Sequence, residues 1–286
     1  MIREVTIQGI AGCFHDVAAR EFFLRHFPED EVSPIDCETF PAMFARLAGE
    51  RSLYGIMAIE NTIAGALLQN HELLRQSDLQ IVGEQKLRIS HSIAALPGRK
   101  ISDIEAVLSH PMALMQCDIF LQRYPHLKGV EWFDTAGAAR DIARGHLDRR
   151  AAICSPLAAR LYGLELLAEA IETNKRNFTR FLILAHKDNE RPLTLPEEKI
   201  DKASIVFSLP HTQGALSKIL TILSFYDMNL TKIQSMPILG REWEYRFYVD
   251  LSFNSLKRYH QALEAIKPLL LDFKSLGEYP ACNLQF

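Results

Sequence analysis

An α/β protein in two domains is what the sequence predicts, and three observations carry the prediction. Over residues 1–186, short apolar runs alternate with segments whose apolar residues recur at helical spacing. Residues 79–96 break that rhythm with a long extended stretch, where the chain is expected to cross from one lobe to another. Residues 187–201 are polar and charged and contain Pro192 and Pro196, as a linker would. The pattern changes after them.

Taken in order, Val5 and Ile7 alternate with polar neighbours, Gly9 and Gly12 break the run, and Phe14, Val17, Ala18 and Phe22 follow at helical spacing. Tyr54 to Ile59 reads as a strand, with Ile63, Leu67, Leu68 and Leu74 on a helix after it. Ala106 to Leu108 leads into Ala113, Leu114, Cys117, Phe120 and Leu121, and Trp132 and Phe133 lead into Ala136, Ala139 and Ala143. Ala151 to Cys154 ends at Ser155-Pro156, where serine suits a helix cap and proline its first turn. Repeated βα units imply a mainly parallel sheet covered by helices. A second crossing is expected near Asn177, before the strand Arg180 to Ala185, which gives two α/β lobes with a cleft between them. Beyond the linker, a strand (Ala203 to Leu209), a helix (Ala215, Leu216, Ile219, Leu220, Leu223), two strands (Asn229 to Ile233, Tyr245 to Leu251), a helix (Leu256, Tyr259, Leu263, Ile266, Leu270) and a closing strand (Phe273 to Tyr279) follow. That βαββαβ order is ferredoxin-like. The expected domains are residues 1–186, a linker 187–201, and residues 202–286.

Composition narrows the function. Of 286 residues, 48% are hydrophobic and 23% charged, so a folded core is expected rather than disorder. A net charge of -3 argues against a duplex-DNA binder or a polybasic membrane binder. No run of 18 apolar residues is present, and MIREVTIQGI lacks a signal core, so neither a membrane nor a nucleic acid is an expected partner. Five cysteines, odd in number and without a C-x-x-C, read as reduced thiols in a cytoplasmic protein.

In open α/β sheets, ligands bind at the carboxyl ends of strands. The βα turns at Gly9 to Cys13, Asn61-Thr62, Ser109-His110 and Thr135 end in small polar residues. Helix starts bind small anions, although serine, threonine and asparagine there are most often caps alone. Asn177-Phe178-Thr179-Arg180-Phe181 is the most unusual stretch. Arg180 enters an apolar strand and needs a partner, either a carboxylate ligand or a structural salt bridge. His15, His91 and His110 show no metal spacing, and Glu60 and Glu84 are weaker acid–base candidates. Neither G-x-S-x-G nor a P-loop is present.

These stretches resemble the prephenate dehydratase family with its C-terminal ACT regulatory domain, over nearly the full chain. The matching motifs are GIAGCFHDVAA (9–19), IENTIAG (59–65), SHPMALMQC (109–117), TAGAA (135–139), NFTRF (177–181), Gly214-Ala215-Leu216 and NLTKIQSMP (229–237). The resemblance implies two lobes like a type II periplasmic binding protein, and conversion of prephenate to phenylpyruvate, carbon dioxide and water in phenylalanine biosynthesis. It implies no metal and no organic cofactor. Thr179 is then the catalytic threonine, whose hydroxyl hydrogen-bonds to the departing oxygen as charge builds there. Arg180 holds a carboxylate, Asn61, Thr62, Ser109, His110 and Thr135 bind substrate, and Phe181 walls the ring. L-phenylalanine is the expected effector, bound near Gly214, Ala215, Leu216, Asn229 and Leu230 between ACT domains of a homodimer or homotetramer. Three departures stand out. The family's G-T-F-S is Gly12-Cys13-Phe14-His15, Met112 replaces a glutamine, and E-S-R-P is Gln234-Ser235-Met236-Pro237. The alternatives are an arogenate dehydratase and a non-catalytic sensor of an aromatic amino acid.

Overall fold

The computed structural model describes residues 1–282. The first sheet starts with β1 (Ile2–Gln8), which the chain leaves through α1 (Phe14–His26). It continues through β2 (Glu31–Cys37), α2 (Phe40–Gly49), β3 (Tyr54–Asn61), β4 (Gly65–Ala66), α3 (Leu68–Gln76) and β5 (Leu79–Arg88). The chain then crosses to a second sheet. Its elements are β6 (Ser92–Ala95), β7 (Ala106–Ser109), α4 (Pro111–Gln116), α5 (Asp118–Arg123), β8 (Lys128–Glu131), α6 (Thr135–Gly145), β9 (Arg150–Cys154), α7 (Pro156–Leu161) and β10 (Glu165–Ala168). It returns as β11 (Phe178–His186), which lies in the first sheet between β3 and β5, in the order β2-β1-β3-β11-β5. The second sheet runs β10-β6-β9-β7-β8.

The extended stretch 79–96 is therefore two strands in different sheets, broken at residues 89–91. Both crossings fall where the hydrophobic pattern changes. The sheets are mixed rather than mainly parallel. β1 runs parallel to β2 and β3, but β11 is antiparallel to β3 and β5. In the second sheet β6 is antiparallel to β9 and β10. The strands at the crossings enter against the local direction, which a βα count cannot reveal. The pattern also passes over β2 and α2. β2 carries Pro34 and pairs only with β1, and proline is tolerated on such an edge. Thr39 caps α2 by accepting from the Ala42 N–H at 3.2 Å. Ile63 precedes the helix expected to hold it, because α3 begins only at Leu68.

The two sheets meet at the start of α1. Gly12 has φ +90°, and a Cβ there would lie 2.8 Å from Ala158 Cα, so this close approach needs glycine. Ser155 caps α7 as expected, accepting from the Ala158 N–H at 2.9 Å, and donates to the Gly12 carbonyl at 2.6 Å. One apolar core runs from Val5, Ile7 and Phe22 of the first sheet side to Ala94, Leu108 and Ala152 of the second.

The rest of the described chain forms β12 (Lys202–Ser208), α8 (Ala215–Phe225), β13 (Asn229–Pro237), β14 (Tyr245–Ser252), α9 (Leu256–Ile266) and β15 (Asp272–Tyr279). Leu270 lies outside α9, which ends before Pro268 and a 3-10 turn. This third sheet is antiparallel, ordered β13-β14-β12-β15. One face packs on α8 and α9 through Ile205, Phe207, Ile219 and Tyr259. The other shares a core with α2 and the first sheet, where Val206, Tyr248 and Leu276 meet Met57, Leu79 and Leu182. β12 is consequently buried along its whole length.

Candidate active site

The centre of the site follows from strand register. Thr179 on β11 pairs with Asn61 on β3. Asn61 Nδ2 donates to Thr179 Oγ1 at 2.9 Å. The Asn61 carboxamide cannot turn over, because its Oδ1 accepts from the Ile63 and Ala64 N–H groups, each at 2.8 Å. The Thr179 oxygen is thereby an acceptor from Asn61, and its own proton is left to donate elsewhere.

The same polarity propagates across the cleft. Asn61 Nδ2 also donates to Asn177 Oδ1 at 2.8 Å, and Asn177 Nδ2 donates to Gln116 Oε1 at 3.0 Å. His91 Nε2 lies 2.9 Å from that oxygen, which accepts, so this nitrogen carries the proton. Burial holds His91 below its ordinary pKa, against the pull of the Gln116 bond, and the ring is neutral. His91 Nδ1 is then a buried acceptor with no hydrogen-bond partner among the described residues. Gln116 ends α4 beside the second sheet, so this relay joins the two lobes.

The cleft measures about 270 Å³ and is lined from both sheets by Cys13, Phe14, His15, Asn61, His91, His110, Met112, Gln116, Asp134, Thr135, Asn177, Thr179 and Phe181. The lining contains no lysine or arginine among the described residues. His15 accepts from the Ala58 N–H at Nε2 (3.3 Å) and stands edge-on to Phe181, with centroids 5.1 Å apart. Burial lowers its pKa to about 4. Burial, with Asp134 nearby, pushes the Cys13 thiol far up, so it stays protonated. Asp134 caps α6 through the Gly137 N–H at 2.8 Å, and burial raises its carboxyl pKa. Met112 lines the cleft where the family motif has glutamine.

Of the residues expected at a substrate site, the structure gathers Asn61, His110, Thr135, Thr179 and Phe181 around this cleft. Ser109 is adjacent but spends its hydroxyl on the Ile153 carbonyl at 2.6 Å. Thr62 lines an adjoining cavity of about 740 Å³ that shares Asn61 and Thr179 with the cleft, and it bonds the Arg176 carbonyl and the Phe178 N–H. Arg180 is the main correction. It lies on the face of β11 away from the cleft, bonded to Glu84 (2.6 Å), Glu60 (3.1 Å), Asp250 (2.5 Å) and the Tyr279 hydroxyl (3.0 Å). Its expected carboxylate is supplied by the protein, three times over. His91 and Gln116 join the site without a sequence neighbour that marks either of them. Gln116 does lie within SHPMALMQC (109–117), which is the signal the sequence offers for it.

The residues expected to bind an effector divide into two groups. Gly214, at φ +76°, opens α8, with Ala215 and Leu216 in its first turn. Asn229 and Leu230 start β13, just past the other end of α8. An 11-residue helix is about 16 Å long, so one chain does not bring the two groups together.

Comparison with known proteins agrees with this architecture. The family model described as prephenate dehydratase matches residues 5–189. The bifunctional chorismate mutase/prephenate dehydratase of Escherichia coli K12 is 33% identical over 283 residues, covering 98% of this chain and 71% of that protein. Arogenate dehydratase 2 of Petunia hybrida is 37% identical, covering 97% and 71%. Among solved structures, one described as GqqA, a novel type of quorum quenching acylase, superposes with a TM-score of 0.84 at 30% identity over 98% of both chains. Prephenate dehydratase of Arthrobacter aurescens in complex with L-Phe superposes with a TM-score of 0.80 at 27% identity, covering 97% of this chain and 89% of that one.

Proposed function

This chain belongs to the prephenate dehydratase family, and from that premise we propose that it converts prephenate to phenylpyruvate at the cleft around Thr179. The reaction breaks the bond between the ring and its carboxylate, releasing carbon dioxide. That electron pair restores the aromatic ring and expels the ring hydroxyl, which takes a proton and leaves as water. The single observation that carries the proposal is the Asn61–Thr179 hydrogen bond. It occupies the threonine oxygen and leaves the hydroxyl proton for the departing oxygen, where charge develops only in the transition state. With no lysine or arginine in the lining among the described residues, and with the α6 start already capped by Asp134, the substrate carboxylates are assigned to the N–H groups at the start of α1 and to the Gln116 amide. Thr135 and His110 edge that space, and Phe181 backs the ring. The test is phenylpyruvate formation by the purified protein without added metal. Turnover that survives Thr179→Ala undiminished would sink the assignment.

One observation favours a second substrate. Asp134 is the carboxylate of the cleft lining, and an anionic group suits the ammonium of arogenate better than the keto group of prephenate. Comparing both substrates at equal concentration decides it. An acylase reading lacks support, since Cys13 is held protonated and no side-chain base is hydrogen-bonded to Thr179 among the described residues.

We further propose that residues 202–286 are an ACT regulatory domain, joined by residues 187–201, and that L-phenylalanine is its effector. The ferredoxin-like strand order supports this, as does the L-Phe complex of the Arthrobacter relative. Because α8 separates the two groups, the effector site we propose lies between copies, with Gly214 to Leu216 of one and Asn229-Leu230 of another, in a homodimer or homotetramer. A cytoplasmic location fits five free cysteines, all buried. No described helix is long and apolar enough to cross a membrane.

A further inference from the structure

Two cross-strand pairs of opposite charge face each other where the third sheet meets the first. Glu60 on β3 and Arg180 on β11 are register partners, 3.1 Å apart. Lys232 on β13 and Asp250 on β14 are register partners in the third sheet. The pairs are joined crosswise. Lys232 Nζ lies 2.8 Å from Glu60 Oε2, and Asp250 Oδ2 accepts from Arg180 Nη1 at 2.5 Å. The four charges balance, and each cation meets an anion of the opposite sheet. Arg180 and Asp250 are 6% and 7% exposed, so their contact is weakly screened, whereas the Glu60 side chain is 35% exposed.

The next pair along β3 and β11 is Asn61–Thr179, which faces the cleft. The ladder is irregular beside it. Arg180 pairs with Glu60 but Phe181 pairs with Ala58, so Ile59 is an extra residue opposite β11, and its carbonyl accepts instead from the Leu67 N–H at 3.0 Å. A bulge re-aims the side chains next to it and weakens the local ladder. Its shape is then held in part by contacts beyond β11: β4 pairs with Glu60 and Asn61 at the other edge, and on the face away from the cleft Lys232 reaches Glu60 while Asp250, Glu84 and the Tyr279 hydroxyl reach Arg180.

We propose that Lys232 and Asp250 are positioning residues for the reaction. Acting through Glu60 and Arg180, they hold the β3 bulge in the shape that aims the Thr179 hydroxyl into the cleft, though neither touches substrate. The proposal rests on the reading of that cleft as the active site.

The experiment compares Lys232→Gln and Asp250→Asn with the parent, each as the full chain. Both changes keep side-chain size and remove one charge. Misplacing a reacting group by a fraction of an ångström lowers turnover while leaving binding. We expect kcat to fall about tenfold or more in each, with KM unchanged within about twofold. The Asn61 side-chain amide resonances should shift in both variants. If Asp250→Asn does not fold, Lys232→Gln, on the outer strand of the sheet, carries the test. A junction that only adds stability would lower the melting temperature and leave kcat and the Asn61 resonances at parent values; that result overturns the proposal. A parent inert towards prephenate and arogenate would refute the functional reading instead, and the resonances alone would then decide for or against positioning.

Discussion

At the scale of single residues, the Asn61 carboxamide sets what Thr179 can donate to. Two backbone N–H groups hold its oxygen, its nitrogen points at the threonine, and the threonine proton is released to the cleft. Thr179→Ala removes that proton, and turnover should drop by orders of magnitude while the circular dichroism spectrum and melting temperature stay near the parent's. Thr179→Ser should retain most activity. Asn61→Asp is the sharper variant. The new carboxylate would accept the threonine proton rather than donate to its oxygen. Losing one oriented donor costs about 10²–10³ in kcat, and steady-state assays at saturating substrate should show a loss of that order.

At the scale of elements, the third sheet is locked to the first by backbone approach. Gly277 on β15 lies against Ile81 on β5, and a Cβ at this position would collide with the Ile81 carbonyl oxygen. Neither partner is a movable side-chain end. Gly277→Ala should therefore destabilise the protein by about 1–3 kcal/mol, as overpacking does, read as a lower urea midpoint with an unchanged slope. Elements also explain where the sequence pattern failed. The edge strand β2, with Pro34, has neither strict alternation nor an apolar run. β11 does have the run, Phe181 to Ala185, because it is flanked on both sides and buried on both faces.

At the scale of the molecule, two buried histidines link stability to pH. His15 and His71 are each held at a pKa of about 4 from an ordinary 6.5, burial being the leading cause. Above pH 6.5 both folded and unfolded chains keep these rings neutral. Between about 6.5 and 4 only the unfolded chain takes up the proton, so stability falls as pH falls across that window. Urea midpoints measured from pH 7.5 to 4.5 should decline, and His71→Asn should flatten the decline. If effector sites form between copies, L-phenylalanine should stabilise the oligomer. Sedimentation and thermal shift should then rise together with added phenylalanine, while Gly214→Val removes both responses.

By itself the sequence determined the periodicities, and with them most helices and strands, the Ser155 cap, the two crossings and the βαββαβ order. Each of these is fixed by neighbours within a few residues, where backbone geometry and local hydrogen bonds act. The motif around Thr179 was legible for the same reason. Only the tertiary structure decided what surrounds those residues. Alternation along β11 puts Arg180 opposite Thr179, yet nothing local says that Asp250, 70 residues on, will cover it. The relay from His91 to Gln116 to Asn177 likewise spans separations of 25 and 61 residues. A buried charge or amide must find a partner, but the partner's identity depends on which elements fold against it, and that is settled by packing rather than by adjacency in the chain.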